Sequence, residues 1–222
     1  MDAKRVTVFT GHYGSGKTSL ALAWSLSLRE GGKRVALYDL DIVNPYFRSA
    51  DHRAALEQMG VRLVVSPFAG SNLDVPALPA ELYAAVGDHS SHAVLDVGGD
   101  DRGAVALGRL SPDIRAEGDY EMLFVANFCR PLTRTPVEAL AVLREVEAAC
   151  HLPATALVNN TNLGAETTAR LVEGSFAPMA ELARLSGLPV RFTGIARRFY
   201  GELKDAPTAL LPMDDLEQIL FK

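Results

Sequence analysis

Eight consecutive residues, Gly11-His12-Tyr13-Gly14-Ser15-Gly16-Lys17-Thr18, fit the pattern G-x-x-x-x-G-K-[ST] at every fixed position. The residue types suit one task. A polyphosphate is held by several backbone N–H groups pointing at it, so the chain must come close and turn sharply. Glycine permits both without a Cβ clash. A helix starting at Lys17 adds unpaired N–H groups and the positive end of its dipole. Lys17 supplies a point charge to the β- and γ-phosphates and Thr18 a hydroxyl to Mg²⁺. The stretch from Gly11 to Ser19 is therefore the expected nucleotide-contacting segment, with Lys17 also counted as catalytic.

Hydrolysis needs more than a phosphate cradle: an acid to organise the metal and a group to position water. Ala93-Val94-Leu95-Asp96-Val97-Gly98-Gly99 offers an apolar strand ending in an acid, with glycine three residues on. Asp96 is expected at the Mg²⁺, directly or through water, and Gly99 is expected to bring a backbone N–H to the γ-phosphate. Asp39-Leu40-Asp41-Ile42-Val43-Asn44-Pro45 supplies two more carboxylates after an apolar run. Acids at the carboxyl end of a parallel strand lie where ligands bind. Asp41 is expected to orient, or take a proton from, the attacking water. Asp39 is expected to support the metal shell or Lys17.

These residues need strands that end together. Short apolar runs predict strands at 5–10, 34–39, 62–65, 93–97, 121–126, 154–158 and 190–195. Helical stretches fall between them at 18–30, 49–59, 74–86, 135–150 and 166–186, the last broken at Gly174 or Pro178. A short helix is expected after Ser111-Pro112, with Ser as N-cap and Pro at its first position. Thr135-Pro136-Val137-Glu138 has the capping-box pattern. Alternating strands and helices predict an α/β, three-layer fold: a mostly parallel sheet of about seven strands with helices on both faces. No composition shift divides residues 1–222, so one nucleotide-binding domain is expected.

Composition narrows the partners. The 222 residues are 48 % hydrophobic and carry a formal net charge of −5. That is enough apolar material for a core, and it gives no bulk attraction to nucleic acid or anionic lipid. Cys129 and Cys150 form no CxxC pair, as in a reduced, cytoplasmic protein without a cysteine metal site. No targeting or membrane-spanning segment is evident. The tail 214–222 has helical apolar spacing, but its acids would be repelled by anionic lipid, so docking on its own core is expected. Arg130 and Arg134, flanking Pro131, read as solvated loop residues, with a phosphate-closing lid as the alternative.

The loop near the start, D-x-D after the next strand and D-x-x-G after the fourth together resemble the MinD/ParA group of P-loop ATPases. That group also holds the nitrogenase iron protein, the tail-anchored-protein targeting ATPase and, more distantly, the cobyrinate amidase and dethiobiotin synthetase domains. The resemblance implies ATP and Mg²⁺ as ligands, a nucleotide site at the carboxyl edge of the sheet, and homodimers formed across ATP. It gives Asp41 the water-orienting position and makes Asn159 or Asn160 the adenine contact. N-K-x-D is absent, which favours adenine over guanine. One position departs: His12 stands where the group's second loop lysine reaches across the dimer.

Three functions are compatible with these residues. The first is a Mg²⁺-dependent ATPase that switches a protein partner. The second is an ATP-dependent enzyme that phosphorylates or activates a small molecule. The third is a scaffold that holds nucleotide with negligible hydrolysis.

Overall fold

The computed structural model describes residues 3–41, 50–65, 80–99 and 101–214. Its strands are β1 (Val6–Thr10), β2 (Val35–Asp39), β3 (Val61–Val65), β4 (His92–Asp96), β5 (Tyr120–Ala126), β6 (Ala156–Asn159), β7 (Val190–Ala196) and β8 (Leu210–Met213). They form one sheet in the order β3-β2-β4-β1-β5-β6-β7-β8. All neighbours are parallel. Parallel pairing demands crossovers. The helices between strands are α1 (Lys17–Glu30), α2 (Ala50–Gln58), α3 (Ala80–Gly87), α4 (Asp101–Glu117), α5 (Pro136–Cys150), α6 (Ala169–Gly174) and α7 (Phe176–Ser186).

The central strands β1 and β2 are buried on both sides, as a covered parallel sheet requires. Phe9, Leu37, Leu63, Val94 and Val125 pack beneath α1 and α2. Val6, Val8, Ala36, Tyr38 and Leu95 face α3 and α4 on the opposite side. Each of the Val, Leu and Phe side chains contributes about 1.5–3 kcal/mol by leaving water. Helix α1 lies at the centre of its layer. Its Trp24 stacks on Phe192, with centroids 5.3 Å apart, and donates Nε1–H to Thr7 Oγ1 at 3.3 Å. The helix that carries Lys17 at its first turn is thereby locked to the sheet.

Two sequence expectations change. The sheet has eight strands among the described residues rather than seven. The additional one, Leu-Leu-Pro-Met, contains Pro212, a residue that argues against a strand except at a sheet edge, and β8 lies at the edge. Pro112 does not open a helix; it sits inside α4. Leu107, Leu110 and Ile114 are fully buried on both sides of it, and that continuous packing outweighs the roughly 3 kcal/mol cost of an interior proline. The stretch 166–186 breaks at Gly174, giving α6 and α7. The capping box at Thr135 and Glu138 is formed from both sides. The expected helix over 214–222 lies outside the described residues beyond Asp214, as does the expected helical start over 74–79.

Candidate functional site

The carboxyl ends of all eight strands share one edge. β1 runs between β4 and β5, and its loop, residues 11–16, opens directly into α1. The loop turns on left-handed glycines, Gly14 at φ 74° and Gly16 at φ 87°. Gly16 occupies the N-cap of α1 with no side-chain cap, which leaves the first N–H groups of the helix for a ligand. Gly11 serves packing: a Cβ there would lie 2.5 Å from the carbonyl oxygen of Val125 on β5. Lys17 is only 7 % exposed. Its Nζ donates to the carbonyl of His12 at 3.1 Å, and the same carbonyl accepts from Ser15 N. The ammonium is folded over the loop's own backbone. The side chain of Tyr13 is 64 % exposed.

Asp96 ends β4 and is register partner to both Phe9 on β1 and Asp39 on β2. Asp39 and Asp96 are both buried. Burial pushes the Asp96 carboxyl up to about 6; a hydrogen bond from Thr18 and the charge of Lys17 oppose the rise, and Asp41 adds to it. Thr18, Lys17, Asp96 and Asp41 therefore act on one another electrostatically. The side chain of Asp39 also holds the following turn, accepting from Asp41 N at 3.0 Å. Residues 42–49, with Asn44-Pro45, lie outside the described residues.

Gly99 closes the arrangement. A Cβ at this position would lie 2.6 Å from Tyr13 N, 2.7 Å from Tyr13 Cα and 2.8 Å from Lys17 Nζ. The backbone after β4 thus touches the phosphate loop and its lysine, and no side chain fits between them. Behind it, a Cβ on Gly103 of α4 would lie 2.5 Å from Gly98 O. Gly103 was not singled out from the sequence. Its signal was the third glycine of the GGDDRG run.

On the other flank of the loop is an open cavity of about 630 Å³. Gly14, Gly16, Ser19, Asn160, Asn162 and Gly194 are among the residues around it. The two candidate asparagines separate cleanly. Asn159 is committed to the interior. Its Nδ2 donates to Ser175 Oγ at 2.7 Å, and its Oδ1 accepts from Thr161 N and Oγ1 at 3.2 and 2.8 Å. Asn160 lines the cavity and donates Nδ2–H to Ser15 O at 2.7 Å. Among the described residues its Oδ1 and the Oγ of Ser15 are buried without partners. Such orphaned polar atoms cost about 1–3 kcal/mol each, so a bound polar ligand beside them fits the local chemistry.

Two side chains frame this flank, and the first was missed in the sequence. Asn127, fully buried after β5, accepts at Oδ1 from Cys129 N and Asn162 N and donates to Asn162 O. It ties the loop after β5 to the loop after β6. The Asn-rich strand ends NF and NNTN were its signal. Arg130, read from the sequence as a solvated loop residue or part of a phosphate-closing lid, donates Nε–H to Gly14 O at 2.9 Å in an exposed bond. Arg197 forms a bidentate pair with Asp214 at 2.7 and 2.9 Å.

This architecture is a P-loop NTPase fold. No family model matches the sequence, and no curated protein matches it. Solved structures with the same fold include cell division protein FtsY from Thermotoga maritima, with TM-score 0.61 and 17 % identity, covering 86 % of this chain and 61 % of that one. Signal recognition particle receptor FtsY from Elizabethkingia anophelis, in complex with GDP, has TM-score 0.55 and 21 % identity, covering 88 % and 58 %. Chloroplast FtsY from Physcomitrella patens has TM-score 0.58 and 16 % identity, covering 88 % and 60 %. This chain spans about three-fifths of the length of those proteins. Among the described residues no helix is long and apolar enough to cross a membrane.

Proposed function

We propose that this protein is a magnesium-dependent nucleoside triphosphatase of the MinD/ParA kind, taking ATP and acting as a switch. The observation that carries the reading is the close approach of Gly99 to Lys17 and Tyr13. A segment that meets the phosphate-binding lysine through bare backbone is placed to respond when a γ-phosphate enters or leaves. That response is the element a switch requires.

The residues fit the ligands. Backbone N–H groups from Gly14 to Thr18 and the ammonium of Lys17 would hold the phosphates. Thr18 and Asp96, with Asp39 behind them, would hold Mg²⁺. The ion would stabilise charge on the phosphate oxygens. Magnesium keeps water and phosphate ligands and takes few from protein, so one hydroxyl and one or two carboxylates suffice. Asp41, held by its backbone bond to Asp39, would orient the water. Asn160 would meet the base across the cavity.

Adenine is favoured by what surrounds that cavity. Guanine offers N1–H and N2–H donors and wants a carboxylate. Among the described lining residues the acid is Asp214, and both its oxygens are bonded to Arg197. Asparagine amides, by contrast, match the donor and acceptor edge of adenine.

Calorimetry with Mg²⁺ and ATP, ADP, GTP and GDP tests the reading. Tight adenine-nucleotide binding that is lost in Lys17→Ala is expected. Tighter GTP than ATP would reject the base assignment, and absence of binding by all four would reject the site.

A further inference from the structure

A second set of cations gathers at the opposite edge of the sheet, where the strands begin. Arg29 in the last turn of α1, Arg34 just before β2 and Arg62 near the start of β3 line one concavity of about 280 Å³. The five residues of β2 separate this edge from Asp39, about 17 Å at ~3.3 Å per residue.

None of the three guanidinium groups has an ion-pair partner among the described residues. Arg29 donates Nη1–H to Lys33 O at 2.6 Å, and its Nε is buried without an acceptor. Its guanidinium lies flush on Gly60, where a Cβ would sit 2.8 Å from both Nε and Nη2. Gly60, at φ 78°, turns the chain from α2 into β3 and leaves that room. Arg62 donates Nη2–H to Tyr38 Oη at 3.2 Å, which fixes its head against the sheet. Arg34 makes no side-chain hydrogen bond or ion pair among the described residues.

One carboxylate shares the concavity, Asp88; hydrogen bonds from Ser90 and Ser91, and in smaller part the charge of Arg62, hold it down at about 2, so it stays ionised and offsets one of the three cations. Its oxygens accept from Ser90 N at 3.0 Å, Ser90 Oγ at 2.6 Å and Ser91 Oγ at 3.0 Å. Those bonds tie it into the turn before β4. The balance inside the concavity is three cations against one internally bonded anion, on a chain whose net charge is −5. Unpaired guanidinium groups converging on a pocket of this size are suited to a small oxyanion bound through forked N–H donors.

We propose that Arg29, Arg34 and Arg62 form a second anion site, separate from the phosphate loop, that binds a dianionic phosphate group. The ligand is free inorganic phosphate or the phosphate head of a small monoester. The site is independent of the nucleotide reading, because it uses no residue of the loop, the two acid-bearing strand ends or the cavity beside Asn160.

The test is site-resolved. Arginine Nε–Hε resonances of ¹⁵N-labelled protein are followed during titration with inorganic phosphate, and separately with glycerol 1-phosphate, against chloride at matched ionic strength. Saturable shifts of Arg29 and Arg62 are expected. The Arg34→Ala/Arg62→Ala double variant should weaken that response by about tenfold or more, while binding MgATP as the parent does. Both substituted side chains are exposed, so the variant should fold. A response to both ligands identifies a monoester head as sufficient; a response to inorganic phosphate alone identifies the free ion. Shifts that rise linearly with ionic strength, or that persist unchanged in the double variant, overturn the proposal.

Discussion

Asn160 Nδ2 lies 2.7 Å from the carbonyl oxygen of Ser15, so the end of β6 grips the phosphate loop across 145 residues of sequence. The neighbouring Asn159 turns the other way and is spent on Ser175 and Thr161. One asparagine of the pair belongs to the ligand side and the other to the core.

Substitution separates them. Asn159→Ala leaves buried partners unpaired and should cost about 2–3 kcal/mol of stability, read by denaturant unfolding. Asn160→Ala should weaken adenine-nucleotide binding by about tenfold and change stability less. Equal nucleotide affinity in Asn160→Ala and the parent would contradict its placement at the base.

Asp41→Ala should retain MgATP binding and lose turnover. Its backbone N–H still reaches Asp39, so the turn survives without the carboxylate. Steady-state phosphate release measures the outcome; undiminished release would remove Asp41 from the water-orienting role.

Asp96 makes nucleotide-free stability depend on pH. Burial lifts its carboxyl from the ordinary 3.8 to about 6 in the folded state, so between these values the folded state binds the extra proton. Stability attributable to this group is greatest below about pH 4 and is lost as pH rises through about 6, by roughly 3 kcal/mol. Asp96→Asn should therefore be the more stable protein at neutral pH. Its advantage over the parent should grow from pH 4 to pH 6 in paired urea titrations. An advantage independent of pH would show that Asp96 is not raised.

Gly99→Ala places a methyl against Tyr13 N and Lys17 Nζ. Either the segment or the loop must shift, at about 1–3 kcal/mol. Reduced turnover with a change in the proteolysis pattern between nucleotide-free and ATP-bound protein is expected. A kinetically normal variant would show that this contact plays no part in switching.

Arg130→Ala removes the Nε–H bond to Gly14 O. Nucleotide affinity should fall by several-fold, in the range of one charge-assisted hydrogen bond, and Arg130→Lys should recover only part of it. Thr135→Ala serves as the comparison. It breaks the capping box of α5 and should cost about 0.5–2 kcal/mol while leaving nucleotide binding intact.

The phosphate loop, both aspartate motifs and the parallel order of the elements were legible because they are local. Glycine spacing, an acid after an apolar run and a capping box are set by backbone sterics and hydrogen bonds within a few residues. Pro112 misled because its penalty is also local, whereas the packing of α4 that absorbs it is not; the proline-bearing strand β8 went unread because its place at the sheet edge is not local either. Sequence could place Asn159 and Asn160 at one strand end, but side chains of adjacent strand residues point to opposite faces. Only the fold decides which face holds Ser175 and which holds the loop. The same holds for Arg130 on Gly14, Gly99 on Lys17, and the three arginines from separate elements that meet at the sheet's other edge. Each contact joins residues distant along the chain, and its geometry exists only once the strands have taken their register.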